Sequence, residues 1–304
     1  MTRMPAVTLA ALPGRRAQAL EAAREIERRG FSGAYCTTAG GVDNVALSQA
    51  IAQATSTLHT GPMIAPIYFR IPAELARGAA LAHELSAGRL RLGIGVSHAP
   101  SHARNGVVAG KPLADVRAYV AAMRAAEHET GPLPPIVLAC LRTRMLELAV
   151  EIADGAVWAN PARSHLPKQL ARVPVHKRAA GFFVGALIPT CISDDEAAAK
   201  AALRRQLTLY CHLPNYRNYW REAGWVEEMD AIEAAIAAGD ADGVPARMSD
   251  RWLADVTLFG SATRVRDGIE AAFDAGITTP VVVPSSARKG GSAQALTELF
   301  AAYA

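Results

Sequence analysis

The feature that most constrains this chain is a repeat of grammar rather than of residues: a short apolar or β-branched run, a polar turn, then an amphipathic helical run. "AVTLAALPG" predicts a first strand, and "RRAQALEAAREIERRG" follows as a helix with Leu20, Ala23 and Ile26 on one stripe and Gly30 as its stop. "SGAYCTT" and "LHTGPMIA" predict the second and third strands, with the helical "NVALSQAIAQATST" between them. "PAELARGAALAHELSAG" opens on Pro72, sets Leu75, Ala79, Ala82 and Leu85 on one face, and ends at Gly88. "LRLGIG", "PPIVLAC", "GAVWAN", "GFFVGALIPTC" and "ITTPVVVPSS" predict strands four to eight. Residues 193–256 break the rhythm, being mostly helical and far longer than one crossover needs.

Strands that alternate with helices predict a parallel sheet, because parallel neighbours require crossovers and right-handed helical crossovers cover the sheet. Eight such units in 304 residues fit a closed (β/α)8 TIM barrel of the α/β class better than an open doubly wound sheet. The expectation is one domain over residues 1–304, with a helical insertion at about 193–256 after strand seven. In such a barrel the residues at the carboxyl ends of the strands face the active site.

With 51% hydrophobic and 20% charged residues, the chain has ample material for a large core. Nothing near the start resembles a signal peptide and no apolar run is long enough to cross a bilayer, so a soluble, cytoplasmic protein is expected. Cys36, Cys140, Cys191 and Cys211 show no CxxC pairing, and three of them sit in apolar runs, which predicts buried, reduced thiols. The formal charge of +4 is spread beside Glu and Asp on helix faces, without the basic stripe and interleaved aromatics of a nucleic-acid protein. A modest positive bias suits a small anionic ligand.

The stretch "LRLGIGVSHAP" ends an apolar strand in Gly95, Ser97, His98 and Pro100, which places Ser97 and His98 at the mouth of the expected barrel. Its GxG, with Asp115 downstream, lacks the third glycine of a dinucleotide fingerprint and comes after two βα units. His98 and His102 have the spacing of a helical zinc pair, but Pro100 between them argues against a regular helix, and no carboxylate sits close in sequence. "ACLRTRM" leads into a helix through Arg142, Thr143 and Arg144: a phosphate site or an N-cap threonine beside a solvated arginine are both open. "SSARKGG" after strand eight is either a second phosphate loop or a flexible link. No GxSxG, HExxH, P-loop or paired-carboxylate pattern is present, and no metal site is predicted. Chemistry alone therefore leads to a barrel with an anionic ligand.

At "ELSAGRLRLGIGVSHAP" the sequence resembles the luciferase-like flavin and deazaflavin oxidoreductases, whose members carry a variant of L-S-x-G-R before an apolar strand ending in glycines. "GPMIAPIYFRIPAELARGAALAHELS" is similar to the family's third strand and following helix, and "LACLRTRMLELAVEIADGAVWANP" to its fifth and sixth βα segments. "LPNYRNYWREAGW" and "LFGSATRVRDGIEAAFDAGITTPVVVP" resemble a subgroup named for dependence on coenzyme F420.

The resemblance implies a (β/α)8 barrel with an insertion, a deazaflavin ring at the barrel mouth, and hydride transfer between the ring and a small organic substrate. It implies a cis peptide at Met63-Ile64, behind the ring. Gly95, Val96, Ser97, His98 and Ser101 match the strand-four region that contacts the ring, with His98 as proton donor to the substrate. Ala139, Cys140, Arg142 and Thr143 match the segment that approaches the ribityl and phosphate groups. Thr38 stands where many relatives carry an acid or a histidine, and Arg142-Thr143 where many carry Gly-Pro. Three functions follow: an F420-dependent oxidoreductase, an FMN-dependent monooxygenase on the same scaffold, or a barrel without catalysis that acts as a binding or scaffold protein. The implied partner is a small-molecule substrate, with neither nucleic acid nor membrane; a homodimer is compatible with the family.

Overall fold

A computed structural model of the protein describes residues 3–12, 14–38 and 41–304. The chain forms two compact units, residues 4–158 with 172–185, and residues 159–171 with 186–304 together with Arg3.

The first unit holds β1 (Ala6–Leu9), β2 (Gly33–Cys36), β3 (His59–Pro62), β4 (Ala65–Pro66), β5 (Leu92–Gly95), β6 (Ile136–Ala139) and most of β7 (Gly155–Ala159). All pairings are parallel: β1 with β2, β2 with β3, then β4 with β5, β5 with β6 and β6 with β7. β3 and β4 together occupy the place of the expected third strand, and a bridge from Thr60 to Leu90 carries the order on toward β5. The run "LHTGPMIA" is split at Met63 and Ile64, whose peptide is cis as the resemblance implied.

The helices follow the apolar stripes with one correction. In the helix Pro72–Leu85, Leu75, Ala79 and Ala82 are buried as expected, whereas Leu85 is 57% exposed. Ten residues beyond Leu75, at about 100° per residue, Leu85 has rotated away from the buried arc. The helix Asn44–Ala54 starts on Asp43, whose carboxylate accepts from the N–H groups of Val45 at 2.9 Å and Ala46 at 3.1 Å. Its far end is closed by Arg89, which donates to the carbonyls of Ala52, Thr55 and Leu58 at 2.8, 3.0 and 2.9 Å. The Glu27 carboxylate then gathers the turn into β3, accepting from the backbone N–H groups of Ser56, Thr57 and Leu58 at 2.7, 2.6 and 3.0 Å.

The second unit begins from the end of β7 and most of β8 (Phe183–Ile192) and contains β9 (Leu258–Gly260) and β10 (Thr279–Ser285). The stretch between β8 and β9 folds as the helices Glu196–Cys211, Pro214–Glu222, Val226–Ala237, Gly243–Ala246 and Asp250–Val256, in keeping with the expected helical insertion. β9 was not expected; its three residues pair parallel with Thr190–Ile192, too short a run to give a strand pattern. Trp220 and Trp252, both fully buried with ring centroids 4.9 Å apart at 88°, anchor this core. A cavity of about 210 Å³ lies beside Arg163, Leu258, Phe259 and Arg264, and none of the sequence-predicted site residues lines it.

All four cysteines are buried and free, as expected. Among the described residues no helix is long and apolar enough to cross a membrane, and no group of three or more His, Cys, Asp or Glu is placed to hold a metal ion.

Candidate functional site

Every sequence-predicted site residue lies in the first unit, at or just beyond the carboxyl ends of its strands. The parallel register sets Pro66 against Gly95 and Ile94 against Leu138, so the ends of β4, β5 and β6 lie level. At that level Ile64, Gly95 and Ala139 converge. A Cβ built on Gly95 would meet the Ala139 Cβ at 2.7 Å and the Ile64 side chain at 3.3 Å, so only glycine fits between them. Two residues back along the strand, a Cβ on Gly93 would meet the Pro62 carbonyl oxygen at 2.3 Å and the Met63 Sδ at 2.9 Å. The two glycines of "LGIG" therefore let the backbone around Met63 and Ile64 pack directly against β5.

Asn44 is a residue to which the sequence alone assigns no role. It is 4% exposed, and its Nδ2 donates to the Ile64 carbonyl at 3.0 Å and to the Cys36 carbonyl at 3.4 Å. Met63 N donates to the same Cys36 carbonyl at 2.8 Å. The available signal was an asparagine directly after Asp43, at a helix start behind strand two, where an amide faces strand ends.

Beyond β5 the chain makes a turn in which Ser97 takes a left-handed φ of 61° and His98 caps a short helix, Ala99–Arg104. Here Pro100 is not the obstacle it seemed. It occupies the first turn of that helix, where a missing N–H costs nothing. His98 and His102 consequently share one helical turn, yet His102 Nε2 is engaged by the Val96 carbonyl at 2.5 Å. His98 is half-buried; burial first, and then the nearby His102 charge, lower its pKa from the ordinary histidine value. Asp115, the residue considered as a ribose acid, accepts the Tyr68 hydroxyl at 2.6 Å. Tyr68 is pushed up to about 12, by burial and by that carboxylate.

Other residues are placed less centrally. Cys140 is buried, with its sulfur donating to the Leu138 carbonyl and its thiol pKa raised by burial, so its side chain faces the core. Arg142, not Thr143, takes the N-cap position of the helix Thr143–Ile152 and provides no side-chain cap there. Thr38 is exposed, just past β2 and its neighbour Thr37. Ser101 is half-buried on the short helix, with its N–H on the His98 carbonyl. In the "SSARKGG" loop, in the second unit, the Ser286 hydroxyl donates to Glu298 at 3.0 Å, tying the loop to the closing helix.

The arrangement offers an apolar patch packed closely around two glycines, a turn bearing hydroxyls and an imidazole, and a helix start with arginines at 142 and 144. The fold is similar to that of known proteins. A coenzyme F420-dependent tetrahydromethanopterin reductase from Methanopyrus kandleri superposes with a TM-score of 0.74 at 18% identity, over 98% of this chain and 97% of that one. An FMN-bound type II Baeyer-Villiger monooxygenase from Pseudomonas putida gives a TM-score of 0.62 at 18% identity, over 98% and 97%. These likenesses establish the fold class as TIM-barrel-like. In sequence, a Mycobacterium tuberculosis protein provisionally named a coenzyme F420-dependent oxidoreductase is 25% identical, with 86% of this chain and 89% of that protein covered. The model of the luciferase-like monooxygenase family matches residues 4–279. The chain therefore belongs to the luciferase-like monooxygenase family.

Proposed function

We propose that the protein is an oxidoreductase that binds a deazaflavin of the coenzyme F420 type at the carboxyl ends of β3 to β6 and acts there on a small organic substrate. The observation that carries this reading is the junction of Ile64, Gly95 and Ala139, a close-packed apolar floor at the level carboxyl ends of β4, β5 and β6 that suits the face of one flat ring. The donor set fits such a cofactor in kind. Met63, Ile64, Gly95, Val96 and Ala139 supply backbone and apolar surface for a ring, Ser97, Ser101 and Thr38 supply hydroxyls, and Arg142, Thr143 and the Cys140 backbone suit a phosphate-bearing tail. Once bound, reduced deazaflavin delivers a hydride and reacts poorly with oxygen, because its C5 lacks the radical chemistry of the flavin nitrogen.

The chain's own contribution is to orient the substrate and move a proton. His98 is the proton donor in this reading: it lies just past the end of β5 and is partly withdrawn from water. Its lowered pKa leaves the imidazole mostly neutral near pH 7, able to accept a proton from solvent and pass it to a substrate carbonyl or imine. A second reading, an FMN-dependent monooxygenase, is favoured by the likeness to the FMN-bound monooxygenase. Oxygen uptake during turnover with each reduced cofactor separates the two. Substrate reduction without oxygen uptake supports the deazaflavin oxidoreductase; stoichiometric oxygen uptake with reduced FMN supports the monooxygenase and overturns the first reading.

A further inference from the structure

The turn that presents His98 is held from outside itself. Ser97 sits in the left-handed region at φ 61°, and His98 is extended at φ −136° and ψ 150°. A serine does not favour that conformation alone, so neighbouring contacts must fix it. One such contact is His102. Its Nε2 lies 2.5 Å from the Val96 carbonyl oxygen, and since a carbonyl only accepts, Nε2 carries the hydrogen. The backbone adds a second tie, with the N–H groups of Ser101 and His102 donating to the His98 carbonyl at 2.9 and 3.0 Å.

The His102 ring is itself immobilised. It stands edge-on to Tyr68, with centroids 5.3 Å apart at 87°, and to Phe69, at 6.2 Å and 85°. Tyr68 is in turn fixed by its hydroxyl bond to Asp115 on the helix Pro112–Ala125. A chain of contacts thus runs from Asp115 through Tyr68 and His102 to the carbonyl that precedes the Ser97-His98 turn.

We infer that His102 is a positioning residue for His98: it sets the direction of the His98 imidazole by holding the Val96 carbonyl, with Tyr68 and Asp115 as its support. The inference rests on the reading of His98 as proton donor for its meaning in catalysis, but not for its geometry. Two substitutions separate the bond from the bulk. His102→Phe keeps a flat ring against Tyr68 and Phe69 and removes the donor. His102→Gln keeps an N–H at nearly the same reach.

The first readout is the His98 imidazole resonance in cofactor-free protein, assigned by its loss in His98→Ala. It should move in His102→Phe and stay near its wild-type position in His102→Gln. The second readout is turnover with F420: kcat should fall about 100-fold in His102→Phe, as for a catalytic group displaced by an ångström, with recovery in His102→Gln and cofactor affinity little changed. If His102→Phe fails to fold, Tyr68→Phe tests the same chain and should also move the His98 signal. An unmoved His98 resonance in the folded donor-free variant, or equal loss in the Phe and Gln variants, overturns the inference. Absence of turnover in the wild type with either cofactor would overturn the functional reading alone, leaving the resonance to decide the positioning.

Discussion

The Asn44 side-chain amide and the Ile64 carbonyl lie 3.0 Å apart, joining the start of a helix to the junction between β3 and β4. Because Asn44 is buried, removing its amide takes from the Ile64 carbonyl a donor that water does not readily replace, while the Cys36 carbonyl keeps the Met63 N–H. Asn44→Ala should therefore cost about 1–3 kcal/mol of stability, read as a lower denaturation midpoint with an unchanged slope. The same variant should bind F420 more weakly, since Ile64 is one wall of the proposed cradle.

Gly95→Ala places a methyl 2.7 Å from the Ala139 Cβ, and neither atom can swing aside because both are attached directly to strand backbone. Overpacking of this kind costs about 1–3 kcal/mol. The expected outcome is a lower melting temperature together with a loss of cofactor binding larger than the stability change alone explains. Calorimetry and a cofactor titration on the same preparation check both.

His98→Ala should lower turnover by about 10²–10⁴-fold while leaving F420 affinity largely intact. The pH dependence carries a definite sign. Burial and the nearby His102 charge hold the His98 pKa below its ordinary value of 6.5, so the protonated donor becomes more abundant as pH falls. The rate of substrate reduction should rise from pH 8 downward and level off only below pH 6.5, and His98→Ala should flatten that rise. A steady-state pH profile of both proteins measures it.

Glu27 is the structural counterpart. Burial by itself would raise the carboxyl pKa, but the N–H groups of Thr57, Ser56 and Leu58, with the Thr57 hydroxyl, outweigh it and hold the group below its ordinary value of 4.5. A carboxylate with a depressed folded pKa stabilises fully above its unfolded pKa and loses that contribution as pH falls through the folded value. Glu27→Ala should cost about 1–2 kcal/mol at pH 7, after allowance for solvent screening, with a smaller deficit at an acid pH below the ordinary value of 4.5. Urea melts at the two pH values test the difference.

Much of this molecule is written in periodicity. Runs such as "PPIVLAC" and "RMLELAVEIADG" state their own strand and helix, because burial of one stripe decides the element. Legibility ended where one side chain serves a distant backbone group. Asn44 has no pattern that announces a bond to residue 64, and a left-handed Ser97 carries none of the glycine signal that would mark such a turn. Pro100 misled for the opposite reason, since proline interrupts a helix at its middle but suits its first turn. The cis bond at Met63-Ile64 was expected from the resemblance alone, and it is present.

The most direct test of the proposed cradle is a spectroscopic titration of the purified protein with oxidised F420 and, in parallel, with FMN. Saturable binding of F420 at micromolar concentrations, tighter than FMN and lost in Gly95→Ala, is the expected result. Uptake of neither cofactor at those concentrations would contradict it and leave a family scaffold without the family's redox chemistry.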